Sequence, residues 1–295
     1  MVARDERRIG GLRKEQREQY EEDGFLFPID ILNETEAADY RTQIEAIEHD
    51  WLDAGLPQPL NTYKRINAHL VMPLAAELGL HPRILDLAES VLGPDFLVYS
   101  VEFFIKEAGT KHVVTMHQDL TYWGWGESDG ILTAWLALSP STGMSGCMDF
   151  VRGSHKNPIL PHEDTFDDAN LLSRGQEIAV QVDDADKVRA ELKPGQISLH
   201  HGLMIHGSGP NRSEDRRIGV AIRYLRADVL KPGGLRDFAM AARGSCDNAT
   251  VTLCPPPSSL FAPEALALYE EVRLEQANVM MAGARAQSGM YAKKG

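Results

Sequence analysis

Apolar side chains recur at helical spacing in the first 95 residues. From Ala37 to Leu52 they return every three or four positions, and the preceding segment LNETE offers an N-cap. The same spacing predicts a second helix from Pro82 to Leu92, which the following Gly-Pro pair would end. Residues 55–72 contain prolines and show no clear period, so we expect a loop there.

Beyond residue 95 the pattern changes to short segments rich in β-branched and aromatic residues. Turns separate them, without helices long enough for repeated parallel crossovers, which favours an antiparallel sandwich or barrel over a doubly wound sheet. The tail after Lys231 holds one helical stretch, Pro263 to Asn278, and its role is open. The predicted strands are Phe96–Ile105, Ile131–Leu138, Cys147–Val151, Glu177–Val182, Gln196–His200 and Arg217–Leu225.

Composition restricts the class of protein. The chain has 295 residues, 43% of them hydrophobic, and a formal net charge of −13. Binding to nucleic acid needs a basic surface, so we expect no nucleic-acid partner. The charged N-terminal segment lacks the apolar core of a signal peptide, and no apolar run approaches the roughly 20 residues that span a bilayer. With three cysteines at no metal-binding spacing, we expect a cytoplasmic protein without a membrane partner.

Two histidines and an aspartate form a candidate metal site. His117 and Asp119 alternate on a segment that we expect to be extended, so both side chains would point the same way. His206 follows a predicted strand much later in the chain. Two histidines and one carboxylate occupy one face of an octahedron around iron and leave three positions for a chelating cosubstrate and dioxygen.

An arginine and a serine follow the distant histidine at suggestive spacing. Arg217 stands eleven residues after His206, where its guanidinium could form a bidentate pair with the distal carboxylate of a 2-oxo diacid. Ser208 could add a hydroxyl to the same carboxylate. The alternatives are a salt bridge on a strand for Arg217, a turn cap for Ser208, and a shift of the cosubstrate role to the adjacent Arg216.

Longer segments surround these residues: HQDLTYWGW at 117–125, LTAWLAL at 132–138, SGCM at 145–148, RGSHK at 152–156 and HGSGPNRSEDRRIGVAIRY at 206–224. Together with GPDFLVYSVEFFIKEAG at 93–109 they resemble the phytanoyl-CoA dioxygenase family of iron- and 2-oxoglutarate-dependent oxygenases, over roughly residues 60–226. The resemblance implies a mainly β fold with flanking helices, a cupin-like double-stranded β-helix or jelly roll.

The same resemblance implies one oxygenase domain over residues 1–295. Its parts would be a mainly helical N-terminal region to residue 95, a β-helix core over 96–226 and a C-terminal extension over 227–295. The resemblance assigns Fe(II) to His117, Asp119 and His206, and 2-oxoglutarate to Arg217, Ser208, Lys106 and Trp135.

The implied reaction is oxidation of a C–H bond of a small-molecule metabolite by O2, with release of succinate and CO2. Hydroxylation is favoured over halogenation, because Asp119 is present where related halogenases carry a small residue. The competing hypothesis is a catalytically inactive metal-binding jelly-roll protein or sensor. The substrate and the oligomeric state are open.

Candidate substrate residues follow the H-x-D pair and lie in the N-terminal region. Tyr122, Trp123 and Trp125 are either walls of a substrate pocket or aromatic core. Arg65 and Asn67, with Lys64 beside them, are either substrate contacts or solvated surface. For His200 and His201 polar packing is favoured over a place in the pocket.

Overall fold

The structure is a computed structural model that describes residues 11–165, 169–172, 176–179 and 182–280. Its helices are α1 (Lys14–Asp23), α2 (Glu34–Trp51), α3 (Leu60–Arg65), α4 (Pro73–Gly79), α5 (Pro82–Leu92), α6 (Leu120–Trp123) and α7 (Pro263–Met280). Its strands are β1 (Phe25–Asp30), β2 (Phe96–Lys106), β3 (Val114–His117), β4 (Ile131–Ala137), β5 (Met148–Val151), β6 (His162–Asp164), β7 (Gln176–Ile178), β8 (Lys187–Ala190), β9 (Gln196–His201), β10 (His206–Ser208), β11 (Arg217–Arg226), β12 (Asp237–Arg243) and β13 (Val251–Leu253).

The strands form two main sheets. The large sheet has the order β1-β9-β4-β11-β2-β12-β13, the small sheet has the order β3-β10-β5-β8, and β6 pairs with β7 apart from them. Pairing is antiparallel throughout these sheets except between β12 and β13. This is the predicted mainly β jelly roll with flanking helices.

The large sheet is buried on both faces, and β11 shows how. Ile218, Val220 and Ile222 point into the main apolar core, where they pack with side chains of the N-terminal helices. The alternate residues Arg217, Ala221 and Arg223 line a cavity on the other face. One face of the sheet therefore supplies stability and the other carries polar side chains.

The predicted helices are confirmed. The α2 helix begins after Asn33, whose side chain accepts a hydrogen bond from the backbone of Glu36 at 2.9 Å. The Glu36 carboxylate accepts in return from the Asn33 backbone at 2.7 Å, which completes a capping box. No helix in the ranges given above is both long and apolar enough to cross a membrane.

The loop predicted for residues 55–72 is wrong. The segment holds α3 and a 3-10 turn at Ala68–Leu70, because Leu60 and Tyr63 are buried against the core although the helix is too short to show a period. The predicted strand Glu177–Val182 begins as β7, while residues 180–181 lie outside the described ranges. In addition, β1, β12 and β13 join the large sheet from beyond residues 96–226.

Candidate active site

The two sheets bring His117, Asp119 and His206 together. His117 ends β3 and is the direct cross-strand partner of His206 on β10. One potential ligand atom from each of the three buried residues lies within 4.8 Å of the other two. Nε2 of His117 and Oδ1 of Asp119 are 3.4 Å apart. The prediction of an extended backbone is wrong for Asp119, whose backbone is helical (φ −55°, ψ −41°) at the start of α6.

Hydrogen bonds orient both imidazole rings for metal binding. Nδ1 of His117 lies 2.9 Å from the carbonyl oxygen of Thr115, and Nδ1 of His206 lies 2.9 Å from that of Met204. A carbonyl oxygen can only accept, so each Nδ1 carries the proton and each Nε2 is the ligand atom. Burial, and then the nearby imidazoles of His117 and His200, lower the pKa of His206 well below its usual value. This donor set fits an Fe(II) site of two histidines and one carboxylate.

The Asp119 carboxylate is held from the side away from His117. Its Oδ2 accepts a hydrogen bond from Thr133 Oγ1 at 3.0 Å, and lies 3.6 Å from Nε of Arg223 and 3.8 Å from Nε2 of His200. Burial alone would raise the pKa of Asp119, but the Arg223 guanidinium and the imidazoles of His117 and His200 hold it well below its usual value. The carboxylate is therefore ionised as a metal ligand requires.

A cavity adjoins the three residues, and Arg217 lies in its wall. The Arg217 side chain is 1% exposed, donates a hydrogen bond to the carbonyl of Gly146, and has its guanidinium carbon 5.2 Å from the centre of a Trp135 ring. Among the described residues no carboxylate pairs with it, and its Nε has no hydrogen-bond partner. Burial lowers the pKa of Arg217 to about 10, so it is protonated at neutral pH.

Ser208 lines the same cavity, and Lys106 lies behind it. Nζ of Lys106 donates to Oγ of Ser208 at 2.7 Å and to the Ser208 carbonyl at 3.2 Å. The serine oxygen thus accepts from the lysine, which directs its own hydrogen towards another acceptor. Burial, and then the charge of Arg217, lower the pKa of Lys106 to about 6. Lys106 supports Ser208 and does not itself line the cavity.

Trp135 lines the cavity as the resemblance implies, and Gly219 makes room for it. A Cβ on Gly219 would lie 1.9 Å from a Trp135 ring atom, so a side chain there would displace the indole. The adjacent Arg216 points elsewhere and pairs with Glu107 at 2.7 Å and Glu48 at 2.8 Å. The geometry therefore favours Arg217 over Arg216 for the carboxylate site.

The candidate substrate residues are in different places. Trp123 and Trp125 are buried in an apolar cluster, each with its ring centre 5.6 Å from that of Tyr99, and neither lines the cavity. The side chain of Tyr122 lies outside the described part of the structure. Asn67 donates a hydrogen bond to Gln276 of α7 at 2.7 Å, which is a packing contact.

Arg65 lies closer to the cavity than Asn67 does. Its guanidinium carbon is 4.1 Å from the centre of the Phe104 ring, and Phe104 lines the cavity. Its Nη2 donates to the carbonyl of Leu171 at 2.6 Å. The neighbouring Lys64 pairs with Glu48 at 2.5 Å, which ties α3 to α2.

Three polar residues of the cavity were not assigned from the sequence: Thr133, His200 and Arg223. Polar packing was expected for His200, yet neither ring nitrogen has a hydrogen-bond partner among the described residues. His201, by contrast, faces Asp129 at 3.4 Å. The alternation of β11 could have identified Arg223, because it shares the face of Arg217 at a spacing of six.

Comparison with known proteins gives consistent matches. The family model "Phytanoyl-CoA dioxygenase (PhyH)" matches residues 20–219. A probable phytanoyl-CoA dioxygenase of Caenorhabditis elegans is 28% identical over 165 residues, and the match covers 54% of this chain and 53% of that protein. A probable alpha-ketoglutarate-dependent hypophosphite dioxygenase of Stutzerimonas stutzeri is 30% identical over 169 residues, which cover 55% of this chain and 57% of that protein.

The solved structures agree with these matches. The non-heme monooxygenase ThoJ, in its apo form, is 32% identical, covers 90% of this chain and 98% of its own, and superposes with a TM-score of 0.81. Its nickel complex is also similar, with 30% identity and a TM-score of 0.74. Because the family model covers most of the chain and the His-Asp-His site fits iron, the chain belongs to the phytanoyl-CoA dioxygenase family of oxygenases, with Fe(II) and 2-oxoglutarate as cofactors.

Proposed function

We propose that this chain is an Fe(II)- and 2-oxoglutarate-dependent dioxygenase that hydroxylates, or otherwise oxidises, a C–H bond of a small-molecule metabolite, releasing succinate and CO2. The observation that carries the proposal is that one cavity is lined both by a buried arginine, Arg217, and by His117, Asp119 and His206. A buried guanidinium without a carboxylate partner is costly unless a ligand supplies the anion. The distal carboxylate of 2-oxoglutarate is that anion.

Each residue has a defined part in this proposal. His117, Asp119 and His206 hold the iron, while Arg217 and Ser208 bind the distal carboxylate of 2-oxoglutarate through charge-assisted and hydroxyl hydrogen bonds. When bound, the iron and the cosubstrate supply the activation of dioxygen. The protein orients the two reactants and excludes bulk water, because the residues around the site are almost fully buried.

Hydroxylation is preferred to halogenation for a structural reason. The carboxylate of Asp119 faces the two imidazoles and would take the coordination position that a halide needs on a bound iron. Removal of that carboxylate should abolish the coupled reaction.

The proposal is tested by succinate release from 2-oxoglutarate under air with ferrous iron and a pool of candidate metabolites. We expect iron-dependent succinate that rises with one or more metabolites, and its loss in Asp119→Ala, because the variant lacks one of the three proposed iron ligands. Wild-type release no higher than that of the variant would instead favour a catalytically inactive metal-binding jelly-roll protein or sensor.

A further inference from the structure

A row of polar side chains crosses the large sheet beside the metal site. His200 on β9 is the cross-strand partner of Thr133 on β4, and Thr133 is the partner of Arg223 on β11. On the far side Arg223 is paired with Ser100 of β2. Directly opposite residues on neighbouring strands point to the same face, so this register aims His200, Thr133 and Arg223 into one region of the cavity.

That region contains only one of the two oxygens of Asp119. Oδ2 lies 3.0 Å from Thr133 Oγ1, 3.6 Å from Arg223 Nε and 3.8 Å from His200 Nε2. Oδ1 instead faces Nε2 of His117 at 3.4 Å. The two carboxylate oxygens are thus in different environments, one against the sheet and one towards the imidazoles.

Arg223 is itself fixed in place. Its Nη1 pairs with Glu102 at 2.9 Å and lies 3.3 Å from the Ser100 hydroxyl, while its guanidinium carbon is 4.8 Å from the centre of a Trp123 ring. Only 6% of the side chain is exposed. Moving the guanidinium away from Asp119 would leave the Glu102 carboxylate, which is only 17% exposed, without its cation, and this is unfavourable.

We propose that Arg223, anchored by Glu102, is a positioning residue that acts with Thr133 to hold Oδ2 of Asp119 against the large sheet. Asp119 would then bind a metal through Oδ1 alone and fill one coordination position. The inference rests on the proposed metal site and deepens it, because a carboxylate that bound through both oxygens would occupy a position that the chelating cosubstrate needs. Outer partners of metal ligands act in this way by orienting the ligand atoms.

The test uses Co(II) added to the metal-free full chain and infrared difference spectra of protein labelled with ¹³C-aspartate. A carboxylate bound through one oxygen has a wider separation between its antisymmetric and symmetric stretches than one bound through two. The Asp119 bands are identified by their absence in Asp119→Ala. The variants are Thr133→Val and Arg223→Lys, singly and together. The first removes the hydroxyl that donates to Oδ2, and the second removes the guanidinium that forms an ion pair with it; neither changes the net charge.

We expect a wide separation in the wild type and a narrower one in the double variant. The dissociation constant of 2-oxoglutarate for the Co(II) protein should rise on the order of tenfold in the double variant, the lower end of what loss of an outer partner costs at metal sites. Thr133→Val replaces a hydroxyl by a methyl group of the same shape, so it should fold normally and shift both quantities in the same direction. Arg243→Lys is the control, because Arg243 pairs with Asp86 and Glu89 of α5 and does not line the cavity.

A narrow separation in the wild type would overturn the inference. A wild-type separation that persists unchanged in the folded Thr133→Val and double variants would also overturn it. If the wild type gave no Asp119-dependent bands with Co(II), the proposed metal site would itself be wrong, and the two failures are therefore distinct.

Discussion

Two adjacent arginines at the start of β11 have opposite environments. Arg216 pairs with three carboxylates of α2 and of the segment after β2, and its side chain is 23% exposed. Arg217 is 1% exposed and has no carboxylate partner among the described residues. Strand alternation explains the difference, since one side chain points to the face that carries the N-terminal helices and the next to the cavity.

This contrast provides a matched pair of variants. Arg217→Met should raise the dissociation constant of 2-oxoglutarate about tenfold to a hundredfold, because a charge-assisted pair in a buried site contributes roughly 1.5–3 kcal/mol. Arg216→Met should leave that constant unchanged. Calorimetric titration of the Ni(II)-loaded proteins with 2-oxoglutarate measures both values. A similar loss of affinity in both variants would place the carboxylate site elsewhere.

Residue types and spacing were enough to select three residues that the fold brings within 4.8 Å of one another. The prediction did not require the correct backbone at Asp119, because a helical turn after β3 returns its carboxylate to His117 as an extended segment would. Thr133 and His200 could not be found in this way, and for Arg223 the alternation of β11 indicates only the face of the sheet. Their common target depends on which strands are neighbours and in what register, and local sequence does not determine either.

At the scale of the element, α2 depends on its first turn. The reciprocal hydrogen bonds between Asn33 and Glu36 satisfy backbone donors that the helix cannot satisfy itself. Asn33→Ala should lower the free energy of unfolding by about 1 kcal/mol. Urea unfolding measures the loss, and Asn33→Asp is the control because it keeps an acceptor oxygen at the same position. Equal losses in both variants would show that the cap contributes little.

Helices of several turns were predictable from the spacing of their apolar residues, whereas the short helix α3 was not. The helices α2 and α5 show enough turns to reveal a period, whereas α3 has six residues and follows Pro57 and Pro59. What stabilises α3 is tertiary contact: Tyr63 packs against Phe261 and Tyr269 with ring centres 5.4 and 4.7 Å away. Such contacts come from residues some 200 positions later in the chain.

At the scale of the molecule, the C-terminal region is tied to the rest by buried polar contacts. Gln276 of α7 accepts from Asn67 at 2.7 Å and donates to Asp237 of β12 at 2.8 Å. Asp237 pairs in turn with Lys231, whose Nζ lies 5.0 Å from the centre of a Trp125 ring. The chain of contacts joins α7, the N-terminal region and the segment after the H-x-D pair. The sequence left the role of this region open because no local pattern indicates its partners.

Burial of His69 makes the free energy of unfolding of the whole molecule depend on pH. His69 is 1% exposed in the 3-10 turn Ala68–Leu70, and burial lowers its pKa to about 3. The folded protein therefore keeps this imidazole neutral at pH values where the unfolded chain binds a proton. Below about pH 6.5 the unfolded state binds more protons, so the contribution of His69 to stability falls as the pH falls, until it levels off near pH 3.

His69→Leu should reduce this dependence on pH. In the wild type His69 contributes up to about 1.4 kcal/mol per pH unit to the slope of the unfolding free energy against pH. The leucine variant should lose that share because leucine does not titrate. Urea midpoints between pH 7 and pH 5 measure the difference between the two proteins. Both are used without metal, so that release of metal at low pH does not contribute. His49→Leu is the control, because its side chain is 88% exposed and its removal should keep the wild-type slope. A slope in His69→Leu equal to that of the wild type would mean that protonated His69 is accommodated in the folded protein, which its full burial within the apolar core opposes.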